Sequence, residues 1–275
     1  MRAFQLWRGC GLAVALSFQC FYAEAQEQWP IRDTETGDTT VQWDHYSIIV
    51  NGERLFSFGG EFHPFRIPVP EIWFDILQKI KAMGLNTASF YSHWGYHAPS
   101  ADTLNFETGG HDLVRIYEMA KEIGLYVNPR PGPYINAELS AGGMPLWVTT
   151  GEYGRLRDND TRWRGAWKPY IDRFEEITVP YQISENGTVI MYQIENEFPE
   201  QWKDVEQKVP NPVSIEYMKQ LFQNAQENGI VVPITHNMPG QKYKSWSVDY
   251  DTVGAGGNVH MYGLDNYVSP CPAEW

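Results

Sequence analysis

From Leu55 onward, apolar residues follow two alternating rhythms. Short continuous apolar runs are bounded by glycine or polar residues, and between them lie stretches with apolar positions three and four apart. The short runs predict strands at Leu55–Phe62, Thr87–Tyr91, Leu125–Arg130, Val189–Ile194, Val231–Thr235 and Val259–Tyr262. The longer stretches predict helices near Glu71–Met83, Asp112–Ile123, Trp167–Ile183 and Ser214–Asn228. Gly84, Gly124 and Gly229 each follow such a stretch, where a left-handed C-terminal cap is needed. Ahead of this pattern, Val41–Val50 alternates enough for one short strand, with Asn51-Gly52 as a hairpin turn.

Strands alternating with helices imply βαβ units and a parallel sheet. Two α/β architectures fit, an open doubly wound sheet and a (β/α)8 TIM barrel. No strand leads into a Gly-x-Gly-x-x-Gly loop: Phe58-Gly59-Gly60-Glu61 lacks the spacing and runs into His63-Pro64. Glu61, Tyr91, Arg130, Glu197 and His236-Asn237 all fall at or just past strand C-terminal ends, the edge where barrels build their sites. The reading is therefore a TIM barrel, incomplete, with about six of the eight βα units of the closed form.

The first residues change where the domain begins. Arg2 and Arg8 precede an apolar stretch, Gly9 to Phe21, and Ala23-Glu24-Ala25 offers a small-x-small cleavage pattern. Residues 1–25 read as a signal peptide, 26–54 as an N-terminal extension with a short strand, and 55–275 as the partial barrel. The expected product is secreted, extracellular and not membrane-bound. Removing the signal takes two basic residues and one acid, and moves the net charge from −13 to −14. So acidic a chain argues against nucleic acid as a partner. Cys10 and Cys20 leave with the signal, so Cys271 is expected to pair with a cysteine outside this chain. Asn159 and Asn186 open N-glycosylation triplets.

Hydrolysis of a glycosidic bond needs two carboxyl groups across the sugar: one protonates the leaving oxygen and the other attacks or activates water. The buried run Val189 to Ile194 opens into Glu195-Asn196-Glu197. Residues 193, 195 and 197 share parity, so strand geometry predicts Gln193 and both acids on one side. Two close carboxylates raise the pKa of at least one, as an acid catalyst requires. A solvated loop of charges explains poorly why an uncharged strand delivers acids at its C-terminal end. A second cluster, Arg130 to Glu138, holds two prolines that stiffen a loop carrying Asn136 and Glu138. Aromatic residues make up 15% of the chain, enough to supply both core and sugar-stacking rings; Trp94, Tyr134, Tyr192 and Tyr267 are candidates for the latter. No cofactor is expected. Metal is not expected either, because Trp94-Gly95 stand between His93 and His97 where a zinc-binding helix needs Glu.

Together, Phe58 to Arg66, Asn86 to Tyr91, Arg130 to Glu138 and Gln193 to Phe198 resemble glycoside hydrolase family 35, the β-galactosidases, particularly its fungal secreted members. One departure is Asn186-Gly187-Thr188, where the family signature usually opens Gly-Gly-Pro. The resemblance implies retaining double displacement on terminal β-D-galactosyl units, with Glu197 as proton donor. It implies that Tyr91, Asn136, Ala137, Glu138, Asn196 and Tyr267 hold the galactose, with Glu195 in support. The family nucleophile is a Glu on the seventh barrel strand, beyond this sequence, and C-terminal β-rich domains follow in full-length members. Competing readings are a galactoside-binding fragment or pseudoenzyme, and another TIM-barrel β-glycosidase.

Overall fold

The computed structural model describes residues 30–239, 246–248, 251 and 253–265. Residues 1–25, Tyr267 and Cys271, on which the signal, one sugar contact and the disulfide were expected, lie outside them. The described residues from Arg32 onward form one compact unit.

An antiparallel meander leads in: β1 (Val41–Trp43), β2 (Ile48–Val50) and β3 (Glu53–Leu55). The single strand expected over Val41–Val50 is thus two. Asp44 splits it, because its carboxylate accepts the amides of Tyr46 and Ser47 at 2.8 and 3.1 Å and closes a turn. Asn51-Gly52 forms the hairpin as predicted, with φ of 51° and 81°, the double positive φ that matches strand twist.

Six strands then lie side by side in parallel: β4 (Gly59–Phe62), β5 (Thr87–Tyr91), β6 (Tyr126–Arg130), β7 (Tyr192–Gln193), β10 (Ile234–Pro239) and β11 (Met261–Asp265). Bridges Val127↔Val189 and Gly132↔Ile194 join β6 to the β7 region. A small hairpin, β8 (Trp202–Asp204) and β9 (Val209–Pro210), intervenes after β7 and was not foreseen.

Several boundaries move for identifiable reasons. The strand expected over Leu55–Phe62 breaks, since the Asn86 side chain accepts from the Phe58 amide and donates to the Phe56 carbonyl, replacing ladder bonds. The strand expected over Val231–Thr235 starts late and runs to Pro239. Gln182 Oε1 takes the amides of Val231 and Val232 at 2.8 and 3.2 Å, so those residues belong to a loop anchor.

The helices are α1 (Trp73–Ala82), a single turn α2 (Trp94–His97), α3 (Leu113–Ile123), α4 (Thr161–Thr178) and α5 (Pro212–Glu227). Helix α4 begins six residues before its predicted start, because Asp160 caps it by accepting from the Arg162 amide at 2.9 Å. It ends early where Pro180 removes an amide donor and a 3-10 turn takes over. Between sheet and helices lies a core rich in large rings. Trp73, Trp163, Trp167, Tyr117, Phe90 and Phe174 are fully buried against Leu77, Ile116 and Ile190, each worth roughly 1.5–3 kcal/mol over exposure. Among the described residues no helix is long and apolar enough to cross a membrane.

Candidate active site

All six parallel strands bring polar side chains to their C-terminal ends, where a cavity of about 390 Å³ opens. Glu61 comes from β4, Tyr91 from β5, Arg130 from β6, Gln193 from β7, Asn237 from β10 and Asp265 from β11. The loop after β6 contributes Asn136, Ala137 and Glu138, and the loop after β7 contributes Asn196 and Glu197.

The loop that carries the acid is fixed amide by amide. Ile194 donates to Thr235 O at 3.1 Å, Glu195 to Gly132 O at 2.9 Å, Asn196 to Glu195 Oε2 at 2.8 Å and Glu197 to Asn237 O at 3.2 Å. The Phe198 amide donates to His236 Nε2 at 3.1 Å, and the Phe198 ring stacks on buried Trp246. With every backbone donor from Ile194 to Phe198 satisfied, three of them by β10, the loop is pinned to the sheet.

Strand parity fails here. Gln193 and Glu197 face the cavity, while Glu195 does not: its side chain is fully buried beneath the loop. The backbone is left-handed at Glu195 and Glu197, φ 57° and 47°, so the two-residue alternation stops with β7. Glu195 instead meets Arg157, whose Nε and Nη2 donate to its two oxygens at 3.0 and 2.7 Å. Tyr217 Oη adds a donor at 2.9 Å, and Arg157 Nη2 also holds Asn196 O at 2.8 Å. The guanidinium is roofed by the Tyr134 ring, 3.8 Å from its centroid. Gly142 makes room for that ring, since a Cβ there would sit 2.0 Å from it.

Asn196 is oriented from the cavity side. Its Oδ1 accepts from Tyr91 Oη at 2.9 Å and from Arg130 Nη2 at 3.0 Å, which turns its amide nitrogen away as a free donor. Arg130 is held by Glu61 at 2.6 Å and lies over the Tyr91 ring at 3.9 Å. Burial pushes the Tyr91 phenol up, so it remains a hydrogen-bond donor at any ordinary pH. The His63 ring stacks on Tyr91 and is pushed down by burial, which keeps it neutral.

The pair of close carboxyls exists, with a different partner. Glu197 is half-buried, and burial together with a hydrogen bond to Asp265 pushes its carboxyl up to about 7. Its Oε1 is buried without a donor among the described residues.

Asn136, Ala137 and Glu138 line the cavity as the sequence suggested, each with positive φ. Arg66 donates to the Ala137 carbonyl, and it lies 3.9 Å from Glu138. The proposed stacking rings are placed otherwise. Trp94 packs in the core on Tyr170, Tyr192 is buried with its hydroxyl on Glu175, and Tyr134 is occupied by Arg157. A strand or helix pattern cannot separate core rings from stacking rings, because both are apolar positions on the same elements. His97 also serves the core, bonded through Nδ1 to Asn105 O and stacked on Phe106. Arg157 and Asp265 were missed as site residues. Asn186 is exposed at a left-handed turn and Asn159 half-buried beside the α4 cap.

The model of glycosyl hydrolases family 35 matches residues 47–269. A probable beta-galactosidase B of Aspergillus niger is 54% identical over 252 residues, which cover 90% of this chain and 24% of that protein. Its namesake in Neosartorya fischeri is 51% identical, covering 94% and 26%. The chain thus spans about a quarter of the length of these relatives. Among solved structures, the exo-beta-1,4-mannosidase Op5Man5 of an Opitutaceae bacterium superposes with a TM-score of 0.53 at 17% identity, over 70% of this chain and 34% of that one. A GH5_18 protein of Streptomyces cattleya, solved with Manb1-4GlcNAc, gives 0.51 at 13%, over 70% and 47%. At such identity the likeness speaks to fold alone: the six strands are part of a TIM barrel.

Proposed function

This chain belongs to glycosyl hydrolases family 35, and we propose that the protein it comes from is a retaining β-galactosidase that releases terminal non-reducing β-D-galactose, with Glu197 as proton donor. The observation that carries this reading is the cavity itself. At its floor a half-buried carboxyl, held protonated near neutrality, stands beside an asparagine whose amide is aimed by two donors. A protonated acid at the leaving oxygen and a fixed amide at the adjacent hydroxyl supply the acid half of glycoside cleavage, which also needs a second carboxylate as nucleophile.

Tyr91, Asn136, Ala137, Glu138 and Asn196 are assigned to galactose, together with Tyr267 outside the described residues. The nucleophile is assigned to a following barrel strand. Glu61, the carboxylate on β4, is paired with Arg130 at 2.6 Å, and Glu138 lies 3.9 Å from Arg66. Secretion after loss of residues 1–25, glycosylation at Asn159 and Asn186, and pairing of Cys271 outside this chain complete the proposal.

The test is the full-length gene product on a nitrophenyl β-galactoside and on lactose. Release of galactose with the β configuration retained, and its loss in Glu197→Gln, is the expected result. Full lactose turnover by that variant would remove Glu197 from the role. Mass spectrometry of the secreted product checks the new N-terminus and the two glycans.

A further inference from the structure

A chain of hydrogen bonds runs along the cavity floor and ends on the acid. Gln193 Nε2 donates to Asn237 Oδ1 at 2.7 Å, while also donating to Glu195 O at 3.1 Å. That fixes which way the Asn237 amide faces, and its Nδ2 donates to Asp265 Oδ2 at 2.9 Å. Asp265 and Glu197 line the same cavity, and the hydrogen bond between their carboxyls raises the proton affinity of Glu197. Two ionised carboxylates have no proton to share, so a bond between them requires one on either side. Asp265 has a donor from Asn237, whereas Glu197 Oε1 is buried with none among the described residues. The charge belongs where the donor is, and the proton belongs on Glu197.

We propose that Asp265 is the positioning residue of the acid: it accepts the hydrogen bond of protonated Glu197, holds its carboxyl toward the cavity and is itself held by the Gln193–Asn237 relay. The inference rests on the assignment of Glu197 as proton donor. It also says what Asp265 is not. The two carboxyls of a retaining site stand roughly 5–5.5 Å apart with the anomeric carbon between them. A direct hydrogen bond leaves no such room, so Asp265 is neither nucleophile nor second acid.

The other charged groups facing Glu197 do not offset this arrangement. Arg130 from β6 and Arg157 from the loop before α4 favour its anion. Each is committed elsewhere, to Glu61 with Asn196 and to Glu195 respectively. Glu61, Glu138, Tyr91 and neutral His63 line the rest of the cavity, and His236 lies behind the loop on the Phe198 amide. When Glu197 gives its proton to the leaving oxygen and the glycosidic bond breaks, its new negative charge faces Asp265. That repulsion is relieved when Glu197 takes a proton from the attacking water in the second half of the reaction. One neighbour therefore serves the residue both as acid and as base.

The experiment is the pH dependence of kcat/KM for a nitrophenyl β-galactoside in the full-length enzyme. Asp265→Asn should lower the midpoint of the upper limb by about one pH unit, with the lower limb unmoved. Asn237→Ala, which strips Asp265 of its donor, should move the same midpoint upward, so the two variants diverge in sign. Circular dichroism confirms that each is folded, and if one is not, the other decides. An upper limb unmoved in the folded variant, or a loss of rate equal at every pH, overturns the proposal. Glu197→Gln separates the two levels. If it keeps hydrolysis, the acid assignment fails first; if it is silent while the limb does not move, only the role of Asp265 fails.

Discussion

Glu195 and Glu197 stand two residues apart on one loop, yet they occupy opposite electrostatic worlds. Below the loop, Glu195 is closed off from water, and Arg157 and Tyr217 satisfy its oxygens. Above it, Glu197 faces the cavity beside another carboxyl and keeps one oxygen without a donor. The same side chain, given a cation and burial, becomes a structural anchor; given an acid and an opening, it becomes a proton store. The difference is set by two left-handed residues, which rotate successive side chains onto opposite sides of the loop.

The contrast predicts unequal consequences. The largest is chemical: Glu197→Gln in the full-length enzyme should cost on the order of 10²–10⁴-fold in kcat on lactose, with little change in thermal stability. Because Glu197 titrates at about 7, the wild-type rate should hold below that pH and fall above it as the acid is lost. Below the loop the order reverses. Arg157→Met leaves Glu195 buried without its cation and should destabilise the fold by roughly 3–5 kcal/mol, read from denaturant or thermal unfolding.

A third acid extends the comparison to a carboxyl held by neutral donors, with the nearby Lys168 paired to Asp172. Glu175 on α4 is buried among Tyr192, Asn224 and Asn228, and burial pushes its carboxyl up to about 7. Its folded pKa lies above the ordinary 4.5, so the stability it contributes is present below about 4.5 and is lost as pH rises through 7. Glu175→Gln should flatten that slope, worth on the order of 3 kcal/mol across the window, in unfolding measured from acid to neutral pH. The smallest effect is Tyr91→Phe, which removes one of two donors to Asn196 and should lower kcat/KM roughly 5–10-fold, about 1 kcal/mol.

Much of this site was legible from the order of residue types. A buried strand ending in Glu195-Asn196-Glu197 and a proline-stiffened Asn136–Glu138 loop appear in the sequence as they do in the cavity. Glu195 was placed on the wrong side because alternation was extended past the last residue of β7. Arg157 could not be found by periodicity: it lies on an irregular loop at φ 53°, and its partner is 38 residues away. Asp265 fell past the predicted strand end at Tyr262, and nothing local links it to Glu197. Trp94, Tyr134 and Tyr192 failed as stacking candidates for a simpler reason, since rings at core positions and rings at a cavity follow the same pattern.

The run Asn136-Ala137-Glu138 has a further meaning. Three successive non-glycine residues sit at φ 56°, 47° and 49°, each roughly 1–2 kcal/mol above its relaxed state. That strain is held by the packing around the segment, to which Arg66 adds a hydrogen bond on the Ala137 carbonyl. A glycine at 137, which meets no Cβ penalty in that region, would relieve its share of the strain, about 1 kcal/mol, and so shows how much of the wall's shape is held by its surroundings rather than by its own backbone.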